Sequence, residues 1–403
     1  MKKLVHLEAA RGIGAIIVAS WHILPFFFYL VSDPLIKALM IPVIGPLLYG
    51  AVFFFFDGAL AVHFFFVLSG YVLSVRYFSG DGSYDLQKAA FRRYIRLALP
   101  VFGSSLFAFL LIKSGFFYLH EVAQHLYAGQ AVMAGEASFY QTDHSVLTML
   151  RAAFLESMFD FRFASSLNPV LWTINVEFYG SLLLFAVLAV TSRFRWPLLA
   201  LGAVLVFLGL FARMREPLIF YYYYADILLG MIYAFGSTRF AVVTDNRFRL
   251  AKSVIGNALI LAGCVAGGMD FIPFFASVAG NSLAGNVIFL GVLVSPQYRE
   301  LMSGRVSRLL GRLSFAIYLL HYPIIISLYA GTLHGLVELR GWSLEAALAV
   351  ATCLYFPVLA IVSLLFARYV DAPSIALSKR LADSLYLRGT AIPAAVQGPT
   401  ARE

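Results

Sequence analysis

The chain has 403 residues, of which 61% are apolar and 13% charged; soluble domains carry about 25% charged residues, so an ordinary water-soluble enzyme is excluded. The formal net charge of +9 does not point to nucleic acid, because Lys and Arg fall in short clusters between apolar runs, the pattern of membrane topology. Cys264 and Cys353 lie in apolar segments without CxxC spacing, which excludes a disulfide framework and a zinc site.

Apolar runs bounded by charge or by Gly and Pro predict about ten spans, at 12–31, 58–78, 97–118, 169–190, 197–212, 218–236, 253–269, 277–295, 313–330 and 345–369. The first follows Met1-Lys2-Lys3, but the run to Val31 is too long for a signal peptide and reads as a retained span. The stretch Leu35 to Phe56 is broken by Pro42 and Pro46 and ends at Asp57, so it is expected to be re-entrant or interfacial. An eleventh span there would send most downstream Lys and Arg residues to the outer side. Ten spans with a cytoplasmic N-terminus instead keep Arg76, Arg92, Arg93, Arg96, Arg305, Arg308 and Arg312 inside.

The expected fold is therefore all-α, a transmembrane helix bundle over residues 1–375 with both termini cytoplasmic. Residues 376–403 form a polar cytoplasmic tail, rich in Ala, Pro and Gly from Thr390 and expected to be disordered there. The segment 119–168 is the only long extracytoplasmic loop, of a length that suits a lid or binding element. Within it, Val146 to Phe161 has apolar residues near helical spacing and is expected to lie in the interface. No internal repeat and no nucleotide, serine-hydrolase or zinc-protease motif occurs.

The candidate functional groups are polar residues inside apolar spans. Arg11 marks the mouth of the first helix and His22 lies eleven residues further on, roughly 16 Å along the axis and near mid-bilayer. A titratable group there faces a bundle interior or a wet cavity. An imidazole suits a general base; the alternative is a satisfied interior histidine. Glu8 and Arg11, three residues apart, share a helical face. So do Arg93 and Arg96, which positive-inside flanking alone would also explain. Glu177 lies deep in its span and either bonds a Tyr or Asn of a neighbouring helix or orients His22. His321, beside Pro323, reads first as structural, and Asp226 is a further interior polar group. Tyr221 to Tyr224 circle one helix end and are assigned mostly to the aromatic belt.

These residues fall in segments that resemble the family 3 membrane acyltransferases. The segment Leu7-Glu8-Ala-Ala-Arg11-Gly12-Ile-Gly14 followed by His22 is similar to that family's first-helix signature. Phe64 to Tyr71, Arg92 to Arg96, Leu171 to Tyr179 and Ser314 to Pro323 match further segments in the family's order, over about residues 4 to 375. Two departures are Glu8, where the family usually has Asp, and His63, where it often has an acidic residue.

The resemblance implies transfer of an acyl group, most simply acetyl from acetyl-CoA, to a hydroxyl of an extracytoplasmic or lipid-linked sugar or glycan. His22 and Glu177 become the catalytic residues, and Arg11, Arg93 and Arg96 the donor-binding ones. His22 would act as a base or carry the acyl group covalently. The partners are acyl-CoA, the glycan and the bilayer, with no metal and no permanently bound cofactor. The expected location is a bacterial inner membrane. The competing function is a proton-coupled transporter or flippase with His22, Glu177 and Asp226 as its relay.

Overall fold

The computed structural model describes residues 4–27, 54–80, 84–128, 145–191, 219–240, 248–269, 274 and 276–389. Among them there is no strand. The principal helices are α1 (Val5–Trp21), α2 (Gly58–Phe78), α3 (Leu86–Lys113), α4 (Trp172–Thr191), α5 (Ile219–Arg239), α6 (Arg249–Gly267), α7 (Val278–Val294), α8 (Arg305–Ile324), α9 (Leu344–Phe366) and α10 (Ala372–Gly389). Among the described residues six helical segments are long and apolar enough to cross a membrane: Gly58–Phe78, Leu86–Lys113, Pro169–Val190, Arg249–Gly267, Arg305–Glu338 and Leu344–Leu385.

Several helix starts have a visible cause. Asp57 caps α2 by accepting from the Leu60 amide at 2.8 Å. Asp85 caps α3 through Gln87 and Lys88 at 2.9 and 3.1 Å, and Ser343 caps α9 through Ala346. The Asp85 cap corrects the third expected span. The helix begins at Leu86 rather than near 97, and Arg92, Arg93 and Arg96 lie in its second and third turns.

Two other boundaries move. The first helix covers Val5–Trp21 instead of 12–31, and a short 3-10 turn follows over Leu24–Phe27. The expected span 313–330 lies inside a longer helix, because α8 continues through π-helical turns at Ile325–Tyr329 and His334–Glu338. The start of the expected tail is also helical. In α10, Ser374, Ser378 and Ala382 are buried, and Asp383 pairs with Lys88 of α3 at 3.7 Å. The expected span 197–212, nearly all of the Leu35–Phe56 segment, and the tail from 390 lie outside the described residues. The loop expected over 119–168 is described up to 128 and from 145. It contains the helix Leu119–His125 and the helical run Val146–Phe159, whose Val146, Leu147 and Leu155 are exposed.

Close helix packing depends on glycine. A Cβ on Gly70 of α2 would lie 1.9 Å from the Ile227 carbonyl oxygen of α5, and one on Gly230 of α5 would lie 2.0 Å from the Val67 oxygen. The two backbones therefore touch, as small residues allow between membrane helices. Helices α1 and α8 meet in the same way, with Gly12 against Leu310 and Gly311 against Glu8. This second contact fixes the height of α1 against α8, and so the polar groups that the two helices bring together.

Candidate active site

Arg11 of α1 donates from Nε to Ser314 Oγ at 2.8 Å and from Nη2 to the Gly311 carbonyl at 3.1 Å. Eleven residues at 100° each bring His22 back to nearly the same side of α1 as Arg11. On α8, Ser314, Tyr318 and His321 follow the i, i+4, i+7 spacing of one helical face. The parallel helices thus make two rungs, Arg11–Ser314 below and His22–His321 above.

The lower rung opens into a cavity of about 160 Å³ lined by Arg11, Ser69, Arg93, Glu177, Ser314 and Tyr318, together with the apolar side chains of Phe65 and Phe66. Two guanidinium groups from different helices meet there, a donor set suited to phosphate or another anion. Arg93 forms an ion pair through Nη2 with Glu177 Oε1, and Ser69 Oγ donates to the same oxygen at 3.4 Å. Tyr318 closes the upper side. Its hydroxyl is held by Thr173 Oγ1 at 2.7 Å and by the Val170 carbonyl at 3.2 Å.

Arg96 does not line this cavity. Its Nη1 lies 2.7 Å from Asp371 Oδ1, and its guanidinium stacks over the Phe315 ring at 5.1 Å. Arg93 and Arg96, expected from one helical face to bind the donor together, therefore diverge. Arg92, their neighbour in sequence, is also absent from the lining.

The upper rung sits behind Tyr318. The His22 Nδ1 is 2.9 Å from the Val18 carbonyl oxygen and 3.2 Å from His321 Nε2. The edge of Tyr322 meets the His22 ring at a centroid separation of 5.5 Å. His321 is fully buried, and its ring centroid is 5.8 Å from that of Tyr318. His22 is partly buried and turned onto bundle residues, but it is not among the cavity-lining residues. Tyr318 is the connection between the arginine cavity and the histidine pair.

The expectation that Glu177 orients His22 is corrected here. Glu177 bonds Arg93 and Ser69, and the side chain that reaches His22 is His321. Spacing could not have revealed this contact between residues 22 and 321. The only sequence signal was that His321 belongs to the Ser314–Pro323 segment already singled out.

A separate polar cluster lies between α2, α5 and α7. His63 Nδ1 is 2.5 Å from Asp226 Oδ2, while Asp226 Oδ1 accepts from Ser282 Oγ and Asn286 Nδ2, both at 2.7 Å. His63 and Asp226 are buried, and the Tyr223 ring lies tilted against His63 at a centroid separation of 4.7 Å. Tyr223 is therefore a core residue that also packs on Phe66 and Trp172, not part of an aromatic belt. Among the described residues no group of three His, Cys, Asp or Glu side chains is arranged to hold a metal.

Comparison with known proteins gives the family. A family model described as an acyltransferase domain matches residues 4–368. Among similar proteins are acyltransferase clz18 of Cochliobolus lunatus, 25% identical and covering 94% of this chain and 95% of its own, and O-acetyltransferase PaAT-1 of Phomopsis amygdali, 27% identical with coverage of 94% and 85%. Acyltransferase R4 of a Phoma species is 24% identical with coverage of 79% and 80%. No solved structure matches. A family match that spans nearly every described helix, including both rungs of α1 and α8, means that the chain belongs to this acyltransferase family.

Proposed function

We propose that the protein moves an acyl group, most simply acetyl, from acyl-CoA to a hydroxyl of an extracytoplasmic or lipid-linked sugar or glycan. The observation that supports this reading is the stacking of the two rungs: a cavity lined by Arg11 and Arg93 lies below the pair formed by the buried His321 and the partly buried His22. The donor's phosphates bind Arg11 and Arg93, and its thioester extends past Tyr318 toward His22. Arg96 supports the site through Asp371 and Phe315. Acetyl as the group is supported by the printed name of the Phomopsis relative. The sugar acceptor rests on the resemblance of the motifs.

In the direct form of the reaction, His22 takes the hydroxyl proton as the acceptor oxygen attacks the thioester carbonyl. The CoA thiolate then leaves and recovers that proton, giving an ester and free CoA. In the covalent form, His22 carries the acyl group between the two substrates. Glu177 holds Arg93 until a donor phosphate competes for it.

The ten-span topology with cytoplasmic termini is part of the proposal. Successive contacts make α1, α3 and α8 parallel (Arg11–Ser314 then His22–His321; Arg96–Phe315 then Ser104–Leu319) and α2, α4, α5 and α7 parallel to one another (Ser69–Glu177 then Tyr77–Leu188; His63–Asp226 then Tyr71–Ser237; Asp226–Ser282 then Tyr233–Asn286). Helices α1 and α2 run in opposite directions, with Gly14 against Phe65 and Gly58 against Trp21. These directions support the alternation that ten crossings require. The proposed location is a plasma membrane. The relatives named above are fungal, so the bacterial inner membrane rests on the sequence-based expectation alone.

The transporter alternative needs His22, Glu177 and Asp226 in one proton path. Each instead has its own partners, namely His321, Arg93 and His63. The deciding experiment supplies [14C]acetyl-CoA to membranes carrying the protein. Base-labile label on a glycan or lipid supports the transferase, and accumulation of an unmodified solute without such label overturns it.

A further inference from the structure

Two carbonyl contacts define where the protons sit on the histidine pair. The His22 Nδ1 faces the Val18 carbonyl at 2.9 Å and the His321 Nδ1 faces the Ile317 carbonyl at 3.2 Å. A carbonyl oxygen only accepts, so each Nδ1 carries its hydrogen. The His321 Nε2 is then a lone pair, and it points at the His22 Nδ1–H at 3.2 Å. That leaves the His22 Nε2 as a bare acceptor, and among the described residues no group hydrogen-bonds it.

From this geometry we propose that His321 is the positioning residue of the reaction, a neutral acceptor that holds His22 with Nε2 free to take the acceptor's proton. The inference rests on the proposed role of His22 and gives that role its orienting partner. The step balances within the two substrates. The hydroxyl proton moves to the His22 Nε2, the new C–O bond forms as the C–S bond breaks, and the same proton passes to the departing thiolate. While His22 is protonated, its Nδ1–H is shared between two acceptors, Val18 O and His321 Nε2, which steadies the cation without a carboxylate. A carboxylate is not needed here, and Glu177 is engaged with Arg93. His321 is well suited to this work because it is fully buried and its own ring is pinned by the turn of α8 below it.

Two substitutions separate acceptor chemistry from packing. His321→Gln keeps a neutral side chain whose amide oxygen reaches close to the lost Nε2. His321→Leu fills the space with no acceptor, and His321→Met is a second apolar filler in case the leucine variant does not accumulate. Each is tested in native membranes supplied with [14C]acetyl-CoA. The readouts are the rate of base-labile label incorporation and, separately, acetyl-CoA binding, beside His22→Ala as reference. The expected result is a loss of about 100-fold in rate for the apolar variants with acetyl-CoA binding unchanged, and a loss below about 10-fold for His321→Gln. Wild-type rates in an apolar variant overturn the proposal. So does a His321→Gln variant as inactive as the apolar ones while still binding donor. Activity in His22→Ala would instead remove the underlying function. An inactive His22→Ala beside a fully active His321→Leu would remove only the role given to His321.

Discussion

Arg93 and Glu177 form an ion pair between α3 and α4 at the edge of the cavity, with Ser69 of α2 donating to the same carboxylate oxygen. Among the described residues the cavity's second guanidinium, Arg11, hydrogen-bonds neutral acceptors, Ser314 Oγ and the Gly311 carbonyl. Arg93 is therefore paired with a carboxylate, whereas the contacts of Arg11 leave its charge unbalanced.

That asymmetry predicts the behaviour of Glu177→Gln. Removing the carboxylate frees Arg93 for a donor phosphate, and acetyl-CoA is expected to bind roughly fivefold tighter, about 1 kcal/mol. Binding of [14C]acetyl-CoA to purified protein checks this. Weaker binding would mean that Glu177 helps to hold the donor rather than competing with it.

The three arginines should separate in the same assay. Arg11→Ala and Arg93→Ala are each expected to weaken acetyl-CoA binding by about 10-fold or more, as loss of a charge-assisted contact does. Arg96→Ala should change affinity by less than about twofold but lower the melting temperature, since it leaves Asp371 unpaired between α3 and the end of α9. Equal affinity losses for Arg93 and Arg96 would contradict the divergence seen here.

The His63–Asp226 pair is wholly buried and shares no residue with the cavity lining. Breaking it with His63→Leu strands a buried carboxylate and should cost about 3 to 5 kcal/mol of stability. The expected readout is loss of folded protein in detergent by fluorescence-detected gel filtration, with residual activity per folded molecule unchanged. A stable but inactive variant would assign the pair to catalysis.

Gly230→Ala drives a Cβ toward the Val67 carbonyl. It is expected to cost about 2 kcal/mol or more through separation of α2 from α5. Thermal unfolding measures it, and a variant as stable as wild type would refute the close backbone approach.

How much of this was legible in the sequence varies with the kind of information involved. The boundaries of α2 were readable because Asp57 and a continuous apolar run mark them locally. Those of α1 were not, because Glu8 and Arg11 interrupt the apolar window although their helix is continuous with it. Glu177 stood out as a charge deep inside an apolar span, and Arg93 through the resemblance of Arg92 to Arg96 to a family motif, but their pairing was not legible. Arg93 and Arg96 share a helical face, yet each turns to a different neighbouring helix, and spacing along one helix contains nothing about the next. The partnership of His22 with His321 depends on the glycine contacts that align α1 with α8, which only the packed bundle displays.

The most direct test of the whole account is His22→Ala in membranes supplied with [14C]acetyl-CoA. The account predicts at least about 100-fold less ester-bound label, with acetyl-CoA binding and protein abundance unchanged. Label appearing at the wild-type rate would contradict it.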